Sequence, residues 1–99
     1  MTIEEFLASV KNQAPPPVAE ALRALWHDAR GDWAAAHSVA QEVHSDEGSW
    51  VHAYLHRKEG DQSNAAYWYR RAGKPMASGP LEAEWKAIAS ALLQNFRQA

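Results

Sequence analysis

Two Gly-Asp pairs, at positions 31–32 and 60–61, lie 29 residues apart, and this spacing constrains the fold more than any other feature. Sliding the sequence by that offset aligns residues 16–44 with 45–73 and also matches small alanines on either side of each pair. Glycine suits the left-handed position that ends a helix, and aspartate can cap the helix that follows. Because small residues let two helices cross closely, the pattern predicts a duplicated helical hairpin.

The composition favours helix along the whole chain. Hydrophobic residues make up 46% of the 99 residues, and alanine, the best helix former, is the most abundant amino acid. Valine and isoleucine are few, and no segment alternates cleanly between apolar and polar residues, so strands are not expected. We therefore expect a single all-α domain over residues 1–99.

Start and stop signals divide the chain into about six helices. A capping box at the N-terminus opens a first helix that is expected to end near Asn12. A second helix is expected to start at Pro16 or Pro17, since proline suits the first helical position. Pro80 opens the last helix, which has the clearest helical stripe: Leu81, Trp85, Ile88, Leu92 and Phe96. The first and last helices would cap the two hairpins, in an open stack or in a closed bundle if the ends fold back.

The residues around each Gly-Asp pair resemble the second half of a tetratricopeptide repeat. The matching residues are Gly31, Asp32 and Ala36 in the first hairpin and Gly60, Asp61, Ala65, Tyr69 and Ala72 in the second. The string AAYWYRRAG at 65–73 also resembles the end of a Sel1-type repeat. HAYLHRKEGD and NAAYWYRRAG resemble strings in short bacterial proteins of unassigned function. The resemblance implies two tetratricopeptide-like hairpins, at 16–44 and 45–73, whose first helices line a ligand groove.

Carried over by position, that groove would show Trp50, Tyr54, Arg57 and Lys58, with Leu25 and Asp28 before them. A separate feature adds Tyr67 to this set. Tyr67, Trp68 and Tyr69 are consecutive, and successive helical residues point about 100° apart, so a one-sided core cannot hold all three. At least one of them must face solvent, a neighbouring segment or a partner.

Basic residues accompany these aromatic residues: Arg57, Lys58, Arg70, Arg71 and Lys74. Helix C-termini favour cations, so a solvated face explains them without a ligand. An acidic peptide is the alternative. The leading hypothesis is a non-catalytic module that binds a protein or peptide, or a second copy of itself as a homodimer, and needs no cofactor.

The histidines support a second hypothesis. His52 and His56 lie four residues apart on one helical face, and the repeat aligns His27 with His56. Three imidazoles brought together could hold zinc, with a carboxylate or water as the fourth ligand. The alternative function is therefore a metal- or small-molecule-binding helical domain using His27, His52 and His56. In the purely structural alternative, these histidines are core residues that hydrogen-bond backbone carbonyls.

Several classes of function are not expected. The net charge of −2 argues against a general nucleic-acid binder, and the lack of cysteine excludes disulfides, thiolate metal sites and a cysteine nucleophile. No nucleophile elbow, phosphate loop or obvious carboxylate pair is present, so we expect no enzyme activity. The acidic N-terminus is unlike a secretory signal and no apolar run is long enough to span a membrane, so we expect a cytoplasmic protein without membrane partners.

Overall fold

A computed structural model confirms the all-α class. It describes the backbone of residues 1–98 and the side chains of residues 1–94, so the predicted stripe position Phe96 has its side chain outside the described residues. Over residues 1–98 the chain forms six helices and no strand: α1 Ile3–Ser9, α2 Glu20–Ala29, α3 Trp33–Gln41, α4 Asp46–Glu59, α5 Gln62–Ala72 and α6 Leu81–Gln98. None of the described helices is both long and apolar enough to cross a lipid bilayer.

The two Gly-Asp pairs form the same kind of turn between helices. The glycine of each pair takes a left-handed φ, 82° in the first turn and 91° in the second. The aspartate side chain of each pair accepts a hydrogen bond from the backbone N–H three residues on, at 3.0 and 3.2 Å. The aspartate N–H donates back to the carbonyl of His27 in the first turn and of His56 in the second. Both predicted breaks are therefore confirmed as helix junctions.

Helix α2 begins at Glu20, which corrects the expected start at Pro16 or Pro17. Each residue that precedes a proline is disfavoured in the helical region, so the triple proline keeps the chain extended. Ala19 is still extended, with φ −58° and ψ 153°, and no side chain caps the helix. The extended path brings Val18 against the core, where it is half-buried.

Helix α1 also ends earlier than predicted, at Ser9 rather than near Asn12. Its capping box is present as predicted. The carbonyls at its C-terminal end are taken by α2: Trp26 donates its indole N–H to the Ser9 carbonyl at 3.0 Å. Arg30 donates to the carbonyls of Val10 and Asn12, at 2.6 and 2.5 Å. Since these carbonyls have partners outside the helix, α1 can stop after two turns and remain docked on α2.

Helix α6 folds back across α2 and α4. Trp85 stacks on Phe6 of α1 with ring centroids 5.7 Å apart, and its indole N–H donates to the Leu25 carbonyl of α2 at 3.0 Å. Trp85, Ile88 and Leu92 of the apolar stripe of α6 are buried, and α6 contacts both α2 and α4. Of the two arrangements that the sequence leaves open, the protein has the closed one. Among the described helices, the backbone of α5 lies close to that of α4 alone, and α6 leaves the outer face of α5 uncovered.

Candidate functional site

The groove expected along the first helices is filled by α6. Tyr54 is only 2% exposed, and its hydroxyl donates to the carboxylate of Asp28 at 2.7 Å. Arg57 donates to the carboxylate of Glu84 in α6 at 2.8 Å and also to the Gly79 carbonyl. These side chains connect helices within the chain, and the role expected for Tyr54 and Arg57 in binding a partner stays a prediction. The predicted groove took no account of α6, which contacts both α2 and α4.

Lys58 and Trp50, also expected to bind a partner, have intramolecular contacts as well. The Lys58 ammonium lies 2.9 Å from Asp28, whose carboxylate it shares with Tyr54. The Lys74 ammonium lies 4.2 Å from the ring centroid of Trp50, which is half-buried. A cation over a tryptophan face is an attractive contact. Both residues are therefore partly engaged within the chain.

An open cavity of about 490 Å³ remains between α1, α2, α4 and α6. Its wall includes Leu7, Asp28, Tyr54, Lys58 and Trp85. Tyr54 and Lys58 both donate to Asp28, so the one carboxylate of this set is already paired within the chain. This remnant of the predicted groove is a weaker candidate than the surface of α5.

The three consecutive aromatic residues of α5 divide as predicted. Tyr69 is buried, Trp68 is half-buried, and Tyr67 is 44% exposed. The Tyr69 hydroxyl donates to the carboxylate of Glu84, which links α5 to the start of α6. Burial, reinforced by this hydrogen bond to the carboxylate, raises the pKa of Tyr69. Tyr69 is therefore a core residue and Tyr67 is the one that faces outward.

Tyr67 belongs to a surface that we call the aromatic-basic patch: Tyr67, Trp68, Arg70 and Arg71. Arg71 donates to the Tyr67 hydroxyl at 3.1 Å, and its guanidinium carbon lies 5.3 Å from the ring centroid of Trp68. The rings of Tyr67 and Trp68 meet edge to face, with centroids 5.1 Å apart. Arg70 is exposed beside them. Of the expected partner-binding residues, Tyr67 alone lies in this patch.

The histidines meet in a combination that the sequence did not indicate. His37, not His27, lies beside His52 and His56, with one ring nitrogen of each within 4.8 Å of the others. His27 lies in the last turn of α2 and packs edge to face on Trp26. Equivalent positions of successive hairpins are separated by a helix spacing of about 8–10 Å, so His27 and His56 do not meet. His37 reaches them because α3 packs directly on α4. The sequence contained one signal for this position: His37 lies one helical turn after Trp33 and therefore on the same face of α3.

The histidine cluster is well buried. His52 and His56 are 5% and 7% exposed, and His37 is half-buried. Burial, together with the nearby imidazoles of His37 and His56, lowers the pKa of His52 to about 4. Burial also lowers the pKa of His37. All three side chains find partners within the described part of the chain, where no fully buried side-chain nitrogen or oxygen lacks a hydrogen bond.

Comparison with known proteins found no matching family model, no matching curated protein and no matching solved structure. The resemblance to tetratricopeptide and Sel1-type repeats therefore stays a prediction.

Proposed function

We propose that the protein is a non-catalytic helical domain that binds an acidic segment of a partner protein on the aromatic-basic patch. One observation carries the proposal: an exposed tyrosine, held by Arg71, lies on α5, whose backbone lies close to that of α4 alone among the described helices. Helical hairpins that stack need neighbours to cover their faces. Within residues 1–98, no helix covers the outer face of α5.

Charge indicates the class of partner. The stretch 62–80 has three basic residues, Arg70, Arg71 and Lys74, and no acidic residue, although the whole chain has a net charge of −2. Acidic side chains on a partner would complement this surface and speed its encounter with the domain. The helix dipole alone accounts for cations at the end of α5 but not for the exposed tyrosine beside them.

The patch is also ordered before any partner binds. Tyr67 is fixed by Arg71 and by its edge-to-face contact with Trp68. Trp68 is in turn stacked on His52 of α4, with ring centroids 4.0 Å apart. Side chains that are already held lose less conformational entropy on binding. Tyrosine and arginine are the residue types that most often dominate interface energetics.

A second copy of this chain fits the patch less well than an acidic partner does. A two-fold dimer places the same surface of both subunits face to face. Arg70 and Arg71 would then approach their own counterparts, and like charges at an interface cost affinity. The charge argument therefore favours a different chain as the occupant.

Peptide display tests this proposal. We expect peptides selected on the immobilised protein to contain several aspartates or glutamates beside an apolar anchor. By fluorescence anisotropy, Arg71→Ala and Tyr67→Ala should each weaken the binding of a selected peptide by roughly tenfold or more. The matched control is Arg23→Ala on α2, an exposed arginine already paired with Glu20 at 2.6 Å, and it should leave binding unchanged.

Two results would contradict the proposal: selected peptides without acidic residues, or equal binding by the patch variants and the parent. Sedimentation at several concentrations completes the test. A dimer that dissociates in Tyr67→Ala would assign the patch to self-association instead of an acidic partner.

A further inference from the structure

We propose that His37, His52 and His56 bind one divalent transition-metal ion, with zinc as the ion to test. The three ligands lie outside the aromatic-basic patch, although Trp68 of the patch stacks on His52. The three imidazoles come from two helices, α3 and α4, that pack directly on each other. Their candidate ligand nitrogens lie within 4.8 Å of one another.

The spacing of the nitrogens suits a common ion. Nε2 of His37 and Nε2 of His52 are 3.0 Å apart. Two imidazole ligands of a tetrahedral zinc, each about 2.0–2.1 Å from the metal, lie about 3.3 Å from each other. The ring centroid of His56 is 4.7 Å from that of His52 and 5.2 Å from that of His37. Small side-chain rotations would therefore bring all three nitrogens to one ion.

An outer carboxylate supports one of the ligands. Glu59 places a carboxylate oxygen 2.6 Å from Nδ1 of His56. That bond fixes the tautomer so that Nε2 of His56 is the nitrogen with a free lone pair. Carboxylates that hold the second nitrogen of a ligating histidine are common in metal sites and orient the ring.

Two tryptophans hold the other rings. Trp33 stacks on His37 with centroids 4.9 Å apart and an interplanar angle of 10°, and its own indole N–H donates to the Leu55 carbonyl at 2.9 Å. Trp68 stacks on His52 at 4.0 Å and 22°. The imidazoles are therefore positioned by rigid neighbours, which is the condition for a site that does not need to fold around its ion.

The ligand types indicate the class of ion. Imidazole suits zinc, copper and nickel, whereas magnesium and calcium require oxygen ligands. A cavity of about 180 Å³ borders His52 and is also lined by His44, Asp46, Ser49 and Arg71. Its volume can accommodate water as a further ligand.

The direct test is calorimetric titration of the chelator-treated protein with zinc chloride. We expect one zinc per chain, no binding of magnesium, and a rise in melting temperature of at least about 5 °C when free zinc exceeds the Kd by 100-fold. Cobalt(II) should bind the same site and give the visible absorption of a four-coordinate nitrogen site. No heat and no change in melting temperature with zinc would overturn the proposal.

The five histidines of the chain provide matched controls. His37→Gln and His52→Gln should each weaken zinc binding more than 100-fold, whereas His27→Gln, whose ring packs on Trp26 outside the cluster, should bind zinc as the parent does. Circular dichroism establishes that each variant is folded, and the loss of the cobalt spectrum reports on the site itself.

Glu59→Gln separates this arrangement from the other grouping in the described residues, His56 with Glu59 and Asp61. As an outer support, Glu59 should contribute about 10- to 100-fold in affinity. Undiminished binding by His37→Gln together with complete loss in Glu59→Gln would overturn the proposed ligand set.

Discussion

The hydroxyl of Tyr54 lies 2.7 Å from a carboxylate oxygen of Asp28, and both side chains are buried. The Lys58 ammonium binds the other carboxylate oxygen at 2.9 Å. This contact connects α4 to α2 in the place where the resemblance implied a ligand groove. A buried carboxylate that loses a hydrogen-bond donor retains the full penalty of its desolvation, so the hydroxyl matters to the stability of the fold.

Tyr54→Phe should therefore lower the free energy of unfolding by about 1–3 kcal/mol, because it removes one donor from the Asp28 carboxylate and little packing. Urea denaturation measures the effect. The control is Tyr67→Phe, which removes a hydroxyl from an exposed ring and should change stability by less than about 0.5 kcal/mol. Equal stability of Tyr54→Phe and the parent would show that water replaces the lost donor.

The local features of the fold could be predicted from sequence because short-range chemistry determines them. The capping box, both Gly-Asp turns and the division of Tyr67, Trp68 and Tyr69 between surface and core each depend on residues within one or two helical turns. The rule for residues that precede a proline covers the triple proline but not Val18 and Ala19, which stay outside the helix while Val18 packs against the core.

The candidate sites depended on long-range packing and were harder to predict. The stripe containing Trp85 predicts an amphipathic helix but does not indicate which helices it covers. Because α6 lies over α2 and α4, Tyr54 and Arg57 have their contacts inside the protein. The cluster containing His37 depends in the same way on the packing of α3 against α4. The alignment of the two repeats suggested His27 because it matches His27 with His56. Residues at matching positions of two repeats do not contact each other.

The start of α4 makes a close backbone contact that a methyl group would break. A Cβ added to Gly48 would lie 2.0 Å from the carbonyl oxygen of Val43 and 2.7 Å from its Cβ. Alanine usually stabilises a helix relative to glycine, but at this position the backbone would have to move to relieve the clash with Val43. Gly48→Ala should therefore lower the free energy of unfolding by at least about 2 kcal/mol.

The matched control for Gly48→Ala is Gly60→Ala in the second Gly-Asp turn. Nothing lies within 4 Å of a Cβ there, but φ is +91°, so only backbone strain of about 1–2 kcal/mol is expected. Thermal and urea denaturation of both variants rank the two effects. A Gly48→Ala protein more stable than Gly60→Ala would contradict the close approach to Val43.

Trp85 connects α6 to α1 and α2. It donates a hydrogen bond to the Leu25 carbonyl at 3.0 Å and stacks on Phe6. Trp85→Phe keeps an aromatic ring but loses the donor and part of the volume, so it should destabilise the fold by about 1–3 kcal/mol. The exposed neighbour Lys86→Ala serves as the control and should be within about 0.5 kcal/mol of the parent. Hydrogen exchange in α6 should increase only in the Trp85 variant.

The burial of His52 couples folding to pH in the metal-free protein. Its pKa is lowered to about 4 in the folded state, mainly by burial and then by His37 and His56, whereas an exposed histidine titrates near 6.5. Between these pH values the unfolded chain binds a proton that the folded chain does not. The free energy of unfolding must therefore fall as the pH is lowered from about 6.5 towards 4, and this contribution is fully lost below 4.

We expect urea denaturation in the presence of chelator to show a loss of up to about 3 kcal/mol over that window, with the interval from pH 6.5 to 5 the most informative because carboxylates titrate below it. Asp46 and Arg71 are the charged residues that border the same cavity. His52→Gln should flatten the dependence, and what remains should come from His37, whose pKa burial also lowers. His44→Gln, which alters an exposed histidine, should retain the full slope. A parent protein whose stability is constant from pH 6.5 to 5 would show that His52 is protonated in the folded state without penalty.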